Sequence, residues 1–521
     1  MTFDHLQRLY FIGIGGIGMS ALARFFHGRG KAVSGYDRTE TALTRALVNE
    51  GIPVHYDDDP AAIPAGVDLL VWTPAVPADH QELSWFRQSG IPMMKRAQVL
   101  GLISRNLRTV AVAGTHGKTT TSTMVAHLLR SGGIDATAFL GGISLNLGNN
   151  FVEGQSDWVV AEADEYDRSF HHLYPEIAIL NSIDPDHLDI YGTPEAVVEA
   201  YEQFARQIKP GGALICRHGL PLDALTDELR ASGRNVYTFG IEEGDFQAKN
   251  LRVEEGRMVF EFGADFAKDL YKINAATSGN PSPSFNPTPN PSPSGEGSGH
   301  EIRSAPLPGG GGVGGGVERG VGVNKADELH SDITAATTLT LRYPGRHNIL
   351  NATAASAAAL LAGVSLSDLP AALDSFAGVH RRFEYIVRRP ELVYVDDYAH
   401  HPAELEATIA AARMLFPGKR ITGVFQPHLF TRTRDFADGF ARALDGLDEC
   451  LLLPIYPARE ESIPGVTSGT ILDKMTLGHK ALVEKKDLLN VLKDKDLQVL
   501  LTMGAGDIDQ LVEPIKTLFT D

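Results

Sequence analysis

Residues 110–124 read VAVAGTHGKTTTSTM. The apolar run ending at Ala113 has the character of a buried strand, Gly114 and Gly117 interrupt it, and Lys118 opens a helix-compatible stretch. Strand, glycine loop and helix in that order make a phosphate cradle. Backbone N–H groups of Gly114, Thr115, His116 and Gly117 can surround phosphate oxygens, and Lys118 can neutralise β- and γ-phosphate charge. The Thr119 hydroxyl, with Thr120 beside it, can ligate Mg2+. The usual form of this loop has four residues between its glycines, whereas Gly114 and Gly117 enclose only Thr115 and His116.

Outward from this loop, glycine-terminated strands alternate with helical periodicity, which predicts an α/β protein of mainly parallel sheets covered by helices. Three blocks are expected. Residues 1–107 begin with LYFIGIGGIGMSALARFFHGRG and continue through the strands AVSGYD and DLLVWTPAVP. Residues 108–343 hold the quoted loop and the strands DWVVAEAD and IAILNSI. Residues 344–521 follow YPGRHNILNATAASAAALLAG with LVYVDDY, RITGVFQP, CLLLPIY and QVLLTMGAG. A chain of 521 residues is too long for one ordinary core, in agreement with several domains.

Between about 274 and 332 the composition changes. Six prolines between 281 and 293 and nine glycines between 309 and 322 oppose both helix and packed sheet, and NPSPS occurs at 280 and again at 290. The flanks RMVFEFG and TTLTLRYPG look strand-like, so a disordered insertion in a surface connection between two strands of the second block is expected.

The formal charge of −18 opposes non-specific binding to nucleic acid or anionic membranes, which directs attention to small molecules. No apolar run is long enough for a membrane span, and the start of the chain lacks a secretory pattern, so a cytoplasmic protein is expected. The two cysteines, Cys216 and Cys450, belong to no C-x-x-C pair and are expected in the core.

Further motifs extend the chemistry. GIGGIG places Gly13, Gly15, Gly16 and Gly18 after a strand and at the opening of a helix, with Asp37 at the end of the next strand. That is the context of a dinucleotide fingerprint, though it does not separate NAD from another diphosphate nucleotide. In AEADEYD, Glu162 ends its strand at the edge where ligands bind, ahead of Asp164, Glu165 and Asp167. His187 follows the next strand and can join Glu162 at a metal. The third block carries Arg346, His347, Asn348, Asn351, Arg381, Arg382, Asp397, Tyr398, His400, His428, Arg432 and Arg434 at loop or element ends, a set suited to phosphate and carboxylate. Zinc at His400, His401 and His428 is disfavoured, because no thiolate or H-E-x-x-H spacing accompanies them.

GIGGIGM, AGTHGKTTT, EADEYD, DHLDIYG, YPGRHNILNA, RRFE, DDYAHHP, FQPHLFTRTRD and GAGDI, in this order, resemble the Mur ligases, and the short loop is that family's own form. The resemblance implies a Rossmann-like N-terminal domain for a UDP-sugar, a central P-loop-type ATPase domain, and a Rossmann-like C-terminal domain for an amino acid. It implies ATP and Mg2+, the substrates UDP-N-acetylmuramate and L-alanine, and a monomer or homodimer. Lys118, His187, Arg382 and His400 would be catalytic, with Thr119, Glu162 and His187 holding Mg2+. Asn348, Asn351 and Asp397 would contact the adenosine of ATP, with Arg382 on its γ-phosphate. Gly13, Gly15, Gly16, Gly18, Asp37 and Thr73 would hold the UDP-sugar, and Tyr398, His400, His428 and Arg432 the amino acid. Residues 188–208 lack the lysine that is carbamylated in branches adding later amino acids, which agrees with the alanine-adding branch. Leu429 stands where many members have arginine.

Other classes fit less well. A ligase attaching a preformed peptide tends to lack this form of GIGGIGM. A dehydrogenase leaves Lys118, Glu162 and the arginines idle, and a non-catalytic nucleotide sensor would be expected to lose Lys118 or Glu162.

Overall fold

Arg108–Ala113 is a strand, buried from its second residue onward. It lies between the parallel strands Trp158–Glu162 and Ile177–Leu180. All three are near-continuous apolar runs, as a strand covered on both faces requires. The computed structural model describes residues 5–73, 76, 77, 79–184, 188–254, 256–264, 335–458 and 460–520. Within it, Met1–Asp265 and Ala336–Asp521 form one compact unit.

The sheet containing Arg108–Ala113 has ten strands. On one side of Arg108–Ala113 come Trp158–Glu162, Thr137–Phe139 and Phe151–Val152. On the other come Ile177–Leu180, Ala213–Arg217, Asn235–Ile241, Phe246–Glu254, Arg257–Ala264 and Ala335–Leu341. Its middle is parallel, as expected. Antiparallel pairs occur towards its two ends, Phe246–Glu254 with Arg257–Ala264 and Thr137–Phe139 with Phe151–Val152. Arg257–Ala264 and Ala335–Leu341 are sheet neighbours, so the chain between them connects adjacent strands. The segment 274–332 itself lies outside the described residues.

The N-terminal sheet is parallel throughout, in the order Val54–His55, Ala32–Tyr36, Arg8–Ile12, Leu69–Trp72, Met93–Lys95. The chain leaves Arg8–Ile12 for one neighbour and later returns to the other side, which opens a switch-point crevice where GIGGIG and Thr73 stand. The C-terminal sheet runs Glu384–Arg388, Val393–Asp397, Val499–Met503, Ile421–Phe425, Glu449–Leu452, Lys480–Leu482, with only its first pair antiparallel.

Two helices set up the centre. Lys118–Ser131 follows the glycine loop and packs against Arg346–Ala362, whose alanine-rich sequence is buried on nearly every side beyond its first turn. A helix buried on nearly every side has to be interior, and this one packs along the central strands and carries Asn348 and Asn351 in its first turns. Both cysteines are free and buried. Among the described residues no helix is long and apolar enough to cross a membrane.

Candidate active site

The glycine loop closes as its spacing requires. Gly117 has φ +79°, and a Cβ there would stand 2.5 Å from Asn351 Oδ1 and 2.9 Å from Asn181 Nδ2. Only glycine allows both this left-handed turn and the close approach of the two asparagines. The Lys118 ammonium reaches back over the loop, donating to the Gly114 carbonyl at 2.8 Å, the Thr115 carbonyl at 3.4 Å and Glu165 Oε1 at 2.7 Å. The His116 N–H donates to Ser182 Oγ at 2.9 Å, which ties the loop to the end of the neighbouring strand.

Beside the loop, Glu162 accepts the Gly141 N–H at 3.1 Å and a hydrogen bond from the Thr119 hydroxyl. Burial pushes its carboxyl up from the ordinary range, while Lys118 and Thr119 oppose that. A hydroxyl and a carboxylate together are hard oxygen donors of the kind Mg2+ takes alongside phosphates and water. His187, the third expected ligand, lies outside the described residues.

A cavity of about 430 Å³ spreads from this loop to the C-terminal sheet. Its wall includes Thr115 to Thr120, Glu162, Asn348, Asn351, Arg382, Asp397, His400 and Arg432, so most of the expected ATP and amino-acid residues meet in one space. Asn351 Nδ2 donates to Asn348 Oδ1 at 3.2 Å, and Asn348 Nδ2 to the Pro344 carbonyl at 2.7 Å, so the pair is held rigid. The Asp397 carboxylate accepts the Phe383 and Ala399 N–H groups, each at 2.7 Å, and burial raises its pKa to about 6. It thereby anchors the loop that carries Arg382. That loop is strained: Arg381 and Phe383, on either side of Arg382, have φ of 59° and 44°.

The Arg382 guanidinium lies 5.2 Å over the Tyr398 ring and 3.9 Å from Glu404. Glu404 also accepts the His400 N–H at 3.0 Å. Burial alone would raise the Glu404 carboxyl, but His400 and Arg382 outweigh it and hold the group at about 2. Arg432 is half-buried in the same wall; its carbonyl accepts the Phe436 N–H at 3.0 Å, while its guanidinium makes no hydrogen bond or ion pair with the described residues. Tyr398 and His428 stand behind His400, at 5.3 and 6.2 Å between ring centroids, and are not part of the wall. Leu429 follows with φ +70°, its N–H donating to the Tyr456 carbonyl at 2.9 Å.

The GIGGIG residues gather at a different place. Asp37 Oδ2 accepts the Gly15 N–H at 2.8 Å, and a Cβ on Gly13 would meet Thr73 Cγ2 at 2.6 Å. Nearby, a crevice of about 100 Å³ is lined by Gly18, Arg96, Leu140, Gly141, Asn150 and Glu162. Glu162 therefore borders both this crevice and the larger cavity.

Sequence reasoning passed over several of these groups. Glu165 sat in an acidic run that reads as solvated loop, and only the fold shows its carboxylate buried on Lys118. Glu404 was legible as the partner four residues after His400 on a helix, Pro402–Leu415, that Pro402 opens. Asn181, Ser182 and Arg96 carry no local signal.

Three α/β sheets, and a glycine loop that faces Arg382, His400 and Arg432 across one cavity, are the architecture of a ligase. The chain belongs to the Mur ligase family: its catalytic domain matches residues 8–108, its middle domain residues 112–280, and its glutamate ligase domain residues 381–506. The UDP-N-acetylmuramate--L-alanine ligase of Cytophaga hutchinsonii is 42% identical, covering 99% of this chain and 98% of the relative. The protein of the same name from Porphyromonas gingivalis W83 is 43% identical, with 98% of each covered. Among solved structures, the UDP-N-acetylmuramate-alanine ligase of Thermotoga maritima aligns with TM-score 0.69 at 28% identity over 98% of both chains. A murein peptide ligase from Psychrobacter arcticus shares the fold, with TM-score 0.59 at 21% identity.

Proposed function

We propose that this enzyme uses ATP to join L-alanine to the carboxylate of UDP-N-acetylmuramate, the first amino-acid addition in peptidoglycan precursor synthesis. The observation that carries the reading is the single cavity in which the Lys118 loop faces Arg382, His400 and Arg432. Relatives named for this reaction match over essentially the whole chain.

In this reading residues 1–107 hold the UDP-sugar, 108–343 the ATP and 344–521 the amino acid. The diphosphate lies on the GIGGIG turn, with Asp37 and Thr73 beside it and Arg96 as a cation in the adjoining crevice. Glu162 borders both spaces, so the substrate carboxylate meets the γ-phosphate there. Mg2+ would be held by Thr119 and Glu162, with His187 as a further ligand, and would draw charge from the phosphate oxygens. Lys118 stabilises charge on the β- and γ-phosphates, and Arg382 reaches the transferring phosphoryl group from the opposite wall. Asn348 and Asn351 border the adenine, and Asp397 the ribose. The carboxylate takes the γ-phosphoryl group and ADP leaves; Arg432 and His400 bind and orient the incoming amino acid, whose amine attacks the resulting acyl phosphate through a tetrahedral intermediate that expels inorganic phosphate. Tyr398 and His428 support His400 from behind. The protein works in the cytoplasm as a monomer or homodimer.

The test is ADP release with UDP-N-acetylmuramate and, separately, alanine, glycine, serine or a preformed peptide. Release that requires alanine is expected. Release that requires the peptide instead would overturn the reading.

A further inference from the structure

The Lys118 ammonium has three N–H donors, and all of them are engaged: two by carbonyls of its own loop and one by Glu165 Oε1 at 2.7 Å. The two carbonyl bonds belong to the loop, whereas the Glu165 bond crosses to another element. Glu165 lies three residues beyond the end of Trp158–Glu162, immediately before the short turn Tyr166–His172. Its side chain is only 4% exposed, and its backbone carbonyl accepts the Tyr191 hydroxyl at 2.6 Å, so the residue is anchored independently of Lys118. Burial pushes its carboxyl up, and the Lys118 charge is the largest influence opposing that. A phosphate entering the loop needs an N–H of Lys118, and the one aimed across the loop is the one that Glu165 holds.

We propose that Glu165 is a positioning residue that holds the Lys118 ammonium over the loop and competes with nucleotide phosphate for it. The inference rests on the reading of this loop as the nucleotide site. The carboxylate holds the N–H that a phosphate oxygen would take, and keeps Lys118 extended over the loop. Nucleotide binds only to the fraction of molecules in which that bond is broken, so apparent affinity is weaker than intrinsic affinity by that fraction.

Calorimetric titration with ADP in magnesium buffer tests this. Wild-type protein should bind ADP, and a wild type that does not would overturn the nucleotide reading itself. Glu165→Gln keeps an acceptor for Lys118 and removes the charge, so it should bind ADP about 3- to 10-fold tighter, a gain that mere structural damage does not produce. Asp164→Asn removes the same charge one residue away without a bond to Lys118, and should stay within about twofold of wild type. If Glu165→Gln does not fold, Glu165→Asp, with its carboxylate one methylene further back, should still tighten ADP by at least about twofold. Unchanged or weaker ADP binding in the folded Glu165 variant, or an equal gain in Asp164→Asn, overturns the proposal.

Discussion

Arg381→Met should uncouple the Arg382 loop from the C-terminal sheet. Arg381 Nε donates to Asp396 Oδ2 at 3.0 Å and Nη2 to the Gly504 carbonyl at 2.7 Å, with side-chain exposures of 9% for Arg381 and 1% for Asp396. Asp396 Oδ1 accepts the Thr502 hydroxyl at 2.6 Å, and burial already raises the Asp396 pKa. Removing the guanidinium leaves a buried carboxylate without its counter-charge, a loss of about 3–5 kcal/mol. At about 2–4 °C per kcal/mol for a domain of this size, the melting transition should fall by roughly 6–20 °C. Arg381→Met combined with Asp396→Asn should recover much of that, because no charge is then stranded.

Activity should not recover in the double variant. Left-handed backbone at a non-glycine residue costs about 1–2 kcal/mol, and Arg381 and Phe383 both adopt it around Arg382. Without the clamp the loop can relax, and a loss of about 1.4 kcal/mol in positioning Arg382 lowers kcat about tenfold. Thermal unfolding followed by steady-state ADP release at saturating substrates measures both effects, and the KM for alanine should stay near wild type. A melting shift under about 3 °C in the single variant would refute the energetic reasoning. Full kcat in the double variant would refute the link from the clamp to Arg382.

Other expectations follow from the same geometry. Lys118→Ala should lower turnover by at least about 10²-fold, since phosphoryl transfer depends on positioned charge, and near wild-type ADP release from folded protein would exclude the loop from the chemistry. The N-terminal domain should bind UDP-N-acetylmuramate and not NAD in a calorimetric titration, where the opposite result would favour a dehydrogenase. Replacing residues 276–330 by a short glycine linker should keep activity within several-fold, because Arg257–Ala264 and Ala335–Leu341 are neighbouring strands; an inactive product would give the insertion a role. Arg432→Ala should raise the alanine KM by at least about tenfold, the lower end of a charge-assisted bond to carboxylate, and leave the ATP KM nearly unchanged. Leu429→Arg keeps the same left-handed backbone strain and should lower the alanine KM or leave it alone, whereas an Arg432→Ala variant impaired for ATP alone would place the wrong substrate in that pocket.

What the sequence determined by itself was local. A strand buried on both faces must be a continuous apolar run, and a phosphate loop must have glycines where backbone turns left-handed, so Arg108–Ala113, Gly117 and the GIGGIG turn were readable from neighbouring residues alone. Glu162 was readable because its position at a strand end put it at the ligand edge of a parallel sheet. The less apolar strands Asn235–Ile241 and Phe246–Glu254 were not, since their alternation also suits surface loop. Tertiary structure decided which charges meet. Lys118 finds Glu165 47 residues away, and Arg381 finds Gly504 across 123. Such pairings carry no periodicity, because they depend on how strands order within a sheet. The same ordering brings Asn351 against Gly117, sets Glu162 between two cavities, and leaves Arg432 facing the space where a carboxylate would enter.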